Sequence, residues 1–337
     1  MTTFLSSRTH ALSPLSRLAR HIAIGVVASL AMAGGASAYP DKPISLLVPF
    51  APGGSSDTIA RTIGPELAKR LNQTVVVENV AGAGGMIATQ RTVKSAPDGY
   101  TVLLGSGSEI LINKLINPKI EYDGIRDLDP VVFVGTGPMV LVGRPGLKAT
   151  TLSELLAEAR SNPKGLSYAS AGNGTPMHVA GELMNIRAGL TMTHVPYRGA
   201  APALVDLMGD QVDLGISTYI AAKPHIDSGK IRLYGLTTAE PSDLAPTVPA
   251  MGQHPDLKGF DLGVWFGLFV PKGTPADIVQ KIQTASQAVL ADPAIRNRLA
   301  TLGISASGES ADALRRFMAN EVVKYKEVIE TAKIKAE

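Results

Sequence analysis

"VPFAPGGSSD", residues 48–57, is where an apolar run stops at Pro52-Gly53-Gly54 and hands over to two serines and an aspartate. A phosphate-gripping loop, a hydrolase nucleophile turn and a simple anion cradle can all begin this way. The flanking residues narrow the choice. Ile44 to Phe50 is short, apolar and rich in β-formers, which predicts a buried strand. Ser55 to Leu71 carries Ile59, Ile63 and Leu67 at helical spacing and ends near Asn72. The stretch is therefore a strand, a small-residue loop and a helix start.

That unit recurs. Thr74 to Val80 is a second strand, followed by Ala81-Gly82-Ala83-Gly84-Gly85 and a helical segment. After the turn Ala96-Pro97-Asp98-Gly99, Thr101 to Leu104 is a third strand running into Gly105-Ser106-Gly107-Ser108. Strands alternating with helices predict parallel pairing. Each small-residue junction then lies at the same sheet edge, where such folds place ligands. Glycine permits close backbone approach, and a helix start offers unpaired N–H groups with a positive dipole end.

A second set of alternations follows. Val140 to Val142 is a strand, and Thr151-Leu152-Ser153-Glu154 is a capping box opening a helix to about Ser161. Leu166 to Ser170 leads through Ala171-Gly172-Asn173-Gly174-Thr175-Pro176 into a helix reaching about Ala188, and Thr193 to Tyr197 leads through Arg198-Gly199-Ala200 into another. Val212 to Ser217 and Ile231 to Leu236 complete the predicted strands, and the chain then crosses Pro- and Gly-rich ground to an apolar stretch, Val264 to Val270. Two long helices end the chain, one with Thr274 as N-cap and Pro275 at its first position, the other starting near Ser310. With no strands of their own, they are expected to pack on the first half. The chain thus crosses twice between two lobes, 39–135 plus 265–337 and 136–264.

The first 38 residues are expected to be removed. Arg8, Arg17 and Arg20 precede the apolar stretch Ile22 to Ala33 and an Ala36-Ser37-Ala38 site, the pattern of a secretory signal peptide cleaved after Ala38. The apolar run falls short of the ~20 residues that span a bilayer. Three of the chain's 32 Lys and Arg lie in this segment and none of its 29 Asp and Glu, so the remainder is formally neutral. The excess positive charge belongs to the leader and argues for no nucleic-acid partner. With no cysteine, disulfides, thiol catalysis and Cys-based metal sites are excluded.

Catalytic motifs are missing. Neither a Walker loop nor G-x-G-x-x-G occurs, and Gly105-Ser106-Gly107-Ser108 lacks the G-x-S-x-G elbow. His178, His194, His225 and His254 are scattered, without a paired metal-ligand spacing, so no metal, no cofactor and no enzyme is expected. An anion cradle remains: backbone N–H groups and serine hydroxyls hold a carboxylate without an arginine. Asp57 reads by default as a helix-capping acid, with a role at a polar ligand group as the alternative.

"YPDKPISLLVPFAPGGSSDTIAR", "VVVENVAGAGG", "APDGYTVLLGS", "YASAGNGTPMHVAGELM" and "VPYRGAAPALVDLMGDQVDLGI" resemble, in order, the tripartite tricarboxylate transporter receptor family, also called the Bug family. The resemblance runs over residues 39–337. It implies an α/β fold of the periplasmic binding protein type II class, with two α/β lobes joined by a two-crossing hinge. It implies a monomer that captures a small carboxylate and delivers it to membrane transporter subunits, without catalysis. A sensory protein presenting its ligand to a signalling partner would look the same in sequence.

The resemblance also carries over ligand loops. The first corresponds to Phe50, Ala51, Gly53, Gly54, Ser55, Ser56 and Asp57, the third to Ser106 and Ser108. A G-x-G-[ST]-x-x-H pattern matches Gly172, Gly174, Thr175 and His178; Y-x-G-x-x-P matches Tyr197, Gly199 and Pro202, with Arg198 where lysine is common and Ala200 adjoining. One position departs. Where the family often reads S-x-x-H-A-x-N-P, this chain has Ser108-Glu109-Ile110-Leu111-Ile112-Asn113-Lys114. Glu109 is thus either a helix-start acid or an acid facing the cleft, where it would disfavour a dicarboxylate.

Overall fold

The computed structural model describes residues 39–162 and 165–334; the expected signal peptide lies outside them. Along the chain run β1 (Ile44–Val48), α1 (Ser55–Leu71), β2 (Val75–Asn79), α2 (Met86–Val93), β3 (Thr101–Ser106), a π-helical turn (Ser108–Ile112), α3 (Asn113–Ile116), β4 (Leu128–Gly143) and α4 (Leu152–Ser161). There follow β5 (Ser167–Ser170), α5 (Pro176–Ala188), β6 (Thr193–Pro196), α6 (Ala200–Met208), β7 (Leu214–Thr218), α7 (Tyr219–Asp227) and β8 (Arg232–Leu236). The last elements are β9 (Gly263–Pro271), α8 (Ala276–Ala291), α9 (Pro293–Thr301), β10 (Ser305–Ser310) and α10 (Ala311–Ala332).

The predicted repeat forms as expected. β2, β1 and β3 pair in parallel with β1 in the middle, and β6, β5 and β7 do the same in the second half. Ile59, Ile63 and Leu67 of α1 are buried. Asn72 ends that helix in the left-handed conformation, φ 51°, which asparagine tolerates better than most residues. The capping box of α4 is complete, with Thr151 accepting from the Glu154 amide and Glu154 reaching back to the Thr151 amide.

The pairing is not parallel throughout. β9 is antiparallel to β3 and β4, and β4 is antiparallel to β7, β8 and β10. The reason is connectivity: β4 and β9 carry the chain in opposite directions between the two halves. The strand expected at 140–142 is the end of β4, a 16-residue strand. Its first part pairs with β9 as far as Pro138–Gly263, and its second pairs with β7 from Met139–Thr218 onward. Ten strands of the described residues thus share one hydrogen-bonded sheet, with β4 common to both halves.

The C-terminal expectation needs correction. Instead of two helices without strands, there are three helices and β10, which pairs with β4. The break between α8 and α9 falls at Asp292, whose carboxylate accepts from the Ala294 amide at 2.8 Å, with Pro293 at the first helical position. Thr274 is not the cap of α8. Pro275 occupies that position, and the Thr274 hydroxyl donates to the Pro271 carbonyl at 2.7 Å. α8 and α10 pack on β4, and α8 also packs on α1, so both return to the first half.

Candidate functional site

Three helix starts and two strand ends converge on a small enclosed cavity of about 30 Å³. Gly54, Ser55 and Ser56 at the start of α1 form one wall, and Ser106 and Ser108 after β3 adjoin them. Ala171, Pro176 and Met177 around the start of α5, with Ala200 at the start of α6, form the opposite wall. Phe50, Val264 and Phe266 close the base. No lining side chain carries a charge. The first-turn N–H groups of a helix have no intrahelical partner and lie at its positive end. The helix starts therefore offer donors and positive dipole ends through main chain, and the serines add hydroxyls that can donate.

The strand period explains the apolar base. Val264 and Phe266 lie two apart on β9 and share a face, while Trp265 turns the other way, edge-on to Phe317 of α10 with ring centroids 5.9 Å apart. Ala171, Pro176, Met177, Val264 and Phe266 were not singled out from the sequence. The apolar run 264–270 was the available signal, but a run with no polar alternation does not say which face meets the helix starts.

Several expected residues support this cavity without lining it. Asp57, 5% exposed, turns back and accepts from the Gly53 amide at 3.0 Å and from Arg61 Nε at 2.9 Å. Burial works to raise its pKa, but the bonds from Arg61 and Gly53 outweigh it and hold the carboxyl below its ordinary value. Ala51 and Gly199 meet across the two halves: the Ala51 amide donates to the Arg198 carbonyl at 3.3 Å. Gly199 adopts φ +147° there, and a Cβ on it would stand 3.2 Å from the Ala51 nitrogen. Thr175 caps α5, accepting from the His178 amide at 3.3 Å and donating to the Gly172 carbonyl at 2.7 Å.

Glu109 is 1% exposed. Its carboxyl accepts from the Ser106 amide and, at 2.9 Å, from Ser106 Oγ. Burial pushes it up to about 8, against the bonds from its own amide and from Ser106. It stands behind the serine wall rather than in the cavity.

Gly174, His178, Tyr197 and Arg198 line a second, more open cavity of about 320 Å³, together with Gly84, Met86, Asn113 and Asn117. His178 stacks on His194 with ring centroids 4.1 Å apart, and His194 stacks in turn on Tyr168 at 4.9 Å. Burial, with His178 beside it, pushes His194 down to about 3. A larger cavity of about 550 Å³, lined in part by Pro138, Asp261, Trp265 and Lys324, holds none of the expected residues. Among the described residues no group of three His, Asp or Glu could hold a metal ion, and no helix is long and apolar enough to cross a membrane.

An α/β frame of two halves that share one sheet through β4, with helix starts gathered around a cavity at strand ends, is that of the periplasmic binding protein type II class. Within that class the chain belongs to the tripartite tricarboxylate transporter receptor family: the profile described as "Tripartite tricarboxylate transporter family receptor" matches residues 59–334. Three solved structures are similar over most of the chain. Periplasmic binding protein BugD is 33% identical, with a TM-score of 0.84 over 89% of this chain and 100% of that one. The adipate complex of Rpa4515 from R. palustris is 31% identical, with a TM-score of 0.85 over 88% of this chain and 99% of that one. MatC (Rpa3494) from Rhodopseudomonas palustris with bound malate is 33% identical, with a TM-score of 0.82 over 86% and 100%.

Proposed function

We propose that the protein is a periplasmic solute receptor, exported by a signal peptide cleaved after Ala38, that captures a small carboxylate and hands it to a membrane transporter. The observation that carries this reading is the cavity between the starts of α1, α5 and α6, which is rich in hydroxyls and carries no charge. A carboxylate there meets N–H and O–H donors, each worth about 1.5–3 kcal/mol when the acceptor is ionised. About four such bonds sum to roughly 6–12 kcal/mol, which reaches a micromolar affinity, near −8 kcal/mol, at its upper end after an association cost of about 4 kcal/mol. Adipate and malate in similar proteins support the ligand class.

Capture needs movement. About 30 Å³ holds roughly two waters, far less than a ligand site of ~300 Å³ or more. In this reading the lobes are 39–135 with 265–337, and 136–264, and they part at β4 and β9. The receptor acts as a monomer and does no chemistry on its ligand. Mass spectrometry of small molecules copurifying with the protein, followed by calorimetry with malate and adipate, tests the reading. A carboxylate bound without turnover is expected; failure of every carboxylate to bind, or hydrolysis of the bound molecule, overturns it.

A further inference from the structure

Ser106 differs from Ser55, Ser56 and Ser108 in what stands behind it. Ser106 lines the cavity, its hydroxyl donates to Glu109 Oε2 at 2.9 Å, and its amide donates to Oε1. The Glu109 carboxyl is walled in. A Cβ on Gly85 would lie 2.9 Å from Oε2 and 3.2 Å from the Pro49 ring, so the residue across from the carboxyl is held to hydrogen for a side chain.

The donor count then fixes the serine. With Glu109 ionised, both carboxyl oxygens accept, the Ser106 proton is spent on Oε2, and only lone pairs of Oγ face the cavity. With a proton on Oε2, that oxygen donates to Oγ, and the serine proton is released toward the cavity. One proton on a residue that never touches the ligand thus reverses a hydrogen-bonding group that does.

We propose that Glu109 is a positioning residue that selects the ligand class through Ser106: protonated, it makes Ser106 a donor to a carboxylate; ionised, it makes Ser106 an acceptor for an amide, hydroxyl or ammonium group. The inference rests on the carboxylate-receptor reading of the same cavity.

The surroundings favour the protonated form near neutrality. Among the described residues no cation pairs with Glu109, and burial is the leading influence on its carboxyl. The titratable groups facing it are few. The Tyr122 phenol donates to the Glu109 carbonyl at 2.9 Å. Tyr325 of α10 stands beside the neighbouring Gly107, with Glu321 behind it within 3.9 Å of Lys324. Burial raises both tyrosines, so both stay neutral below pH ~10. Gly85 and Pro49, which stand across from the carboxyl, carry no charge.

The sign follows. Glu109 binds its proton below about 8 and loses it above. Carboxylate affinity is then greatest at lower pH and falls by about tenfold per pH unit above that point. Calorimetry of the whole protein with malate, adipate and the uncharged diamide of adipate, at pH about 6.5 and about 9.5, reads this directly. Wild type should lose at least tenfold in affinity for the dicarboxylate it binds and take up protons on binding it, while the diamide does not share the fall. Glu109→Gln, which donates to Oγ at every pH, should bind the dicarboxylate with a flat profile. A flat wild-type profile, or the same slope in both proteins, overturns the proposal. Infrared spectra without ligand give the second measurement: a carboxylic-acid C=O band at the lower pH, absent from Glu109→Gln and lost at the higher pH. Its absence overturns the proposal even if the variant folds poorly. If no carboxylate binds either protein, the receptor reading fails, and the band alone decides whether Glu109 carries the proton.

Discussion

The Ala51 amide and the Arg198 carbonyl, 3.3 Å apart, join the loop after β1 to the loop before α6 by main chain alone. No side chain is needed, because Gly199 brings the second loop within reach of Phe50 and Ala51. Bulk at this seam should act as a wedge. Ala51→Leu keeps an ordinary backbone conformation but fills the space that Gly199 leaves. Its expected effect is at least a tenfold loss of affinity, about 1.4 kcal/mol, with little change in melting temperature. Solution scattering should give a larger radius of gyration for the variant than for wild type with saturating ligand; equal values would remove the seam from the closing movement.

A second prediction separates backbone from side chain at the start of α1. Gly54 has φ −80°, and a Cβ there has the Ala51 carbonyl oxygen at 3.5 Å as its nearest neighbour. Valine is thus tolerated by the fold but crowds the cavity. Gly54→Val should fold and bind nothing, while Ser55→Ala should cost only about 1.5 kcal/mol of binding. Normal affinity in a folded Gly54→Val protein would show that the ligand does not approach this loop.

Asp57 should matter for stability more than for recognition. Removing it takes the acceptor from the Gly53 amide and the partner from Arg61, a loss of about 1–2 kcal/mol. Its folded pKa is depressed, so its contribution is present above the unfolded value of ~3.9 and disappears as pH falls through the lower folded value. Urea midpoints for Asp57→Ala and wild type should differ at neutral pH and converge in strong acid.

His194 acts earlier on the acid side. Its folded pKa, about 3, lies below the unfolded ~6.5, so stability is full above ~6.5 and declines as pH falls toward about 3. The slope from this residue alone is up to about 1.4 kcal/mol per pH unit. Replacing it with phenylalanine, which preserves stacking on Tyr168 and His178 but takes no proton, should flatten the decline between pH ~6.5 and ~5. An unchanged slope would assign the acid sensitivity to other groups.

Much of the frame was legible because local pattern and tertiary role agree. α1 announces itself by Ile59, Ile63 and Leu67, and α4 by a capping box that forms in full. β10 gave no such signal: Ser305–Ser310 reads SASGES, polar and glycine-bearing. It is a strand because β4 offers it a ladder. The first part of β4 was hidden for a related reason, since Pro130, Gly135, Gly137 and Pro138 interrupt its apolar run and long-range pairing with β9 overrides local propensity. At the candidate site the serines and glycines stood out as loop chemistry. The apolar base did not, because Val264 and Phe266 reach it from a strand distant in sequence. Nor could the spacing of Ser106 and Glu109 tell a cap from a cleft residue; only the burial of the carboxyl does.

β4 has one more consequence. Its pairing passes from β9 to β7 between Pro138 and Met139 without a gap, so the two halves share a strand. Melting the strands of one half would strip partners from the other. Unfolding should therefore be a single cooperative transition, with one calorimetric peak whose enthalpy equals the van't Hoff value. Breathing at the cleft would then be a torsion of intact ladders rather than the separation of two independently stable bodies.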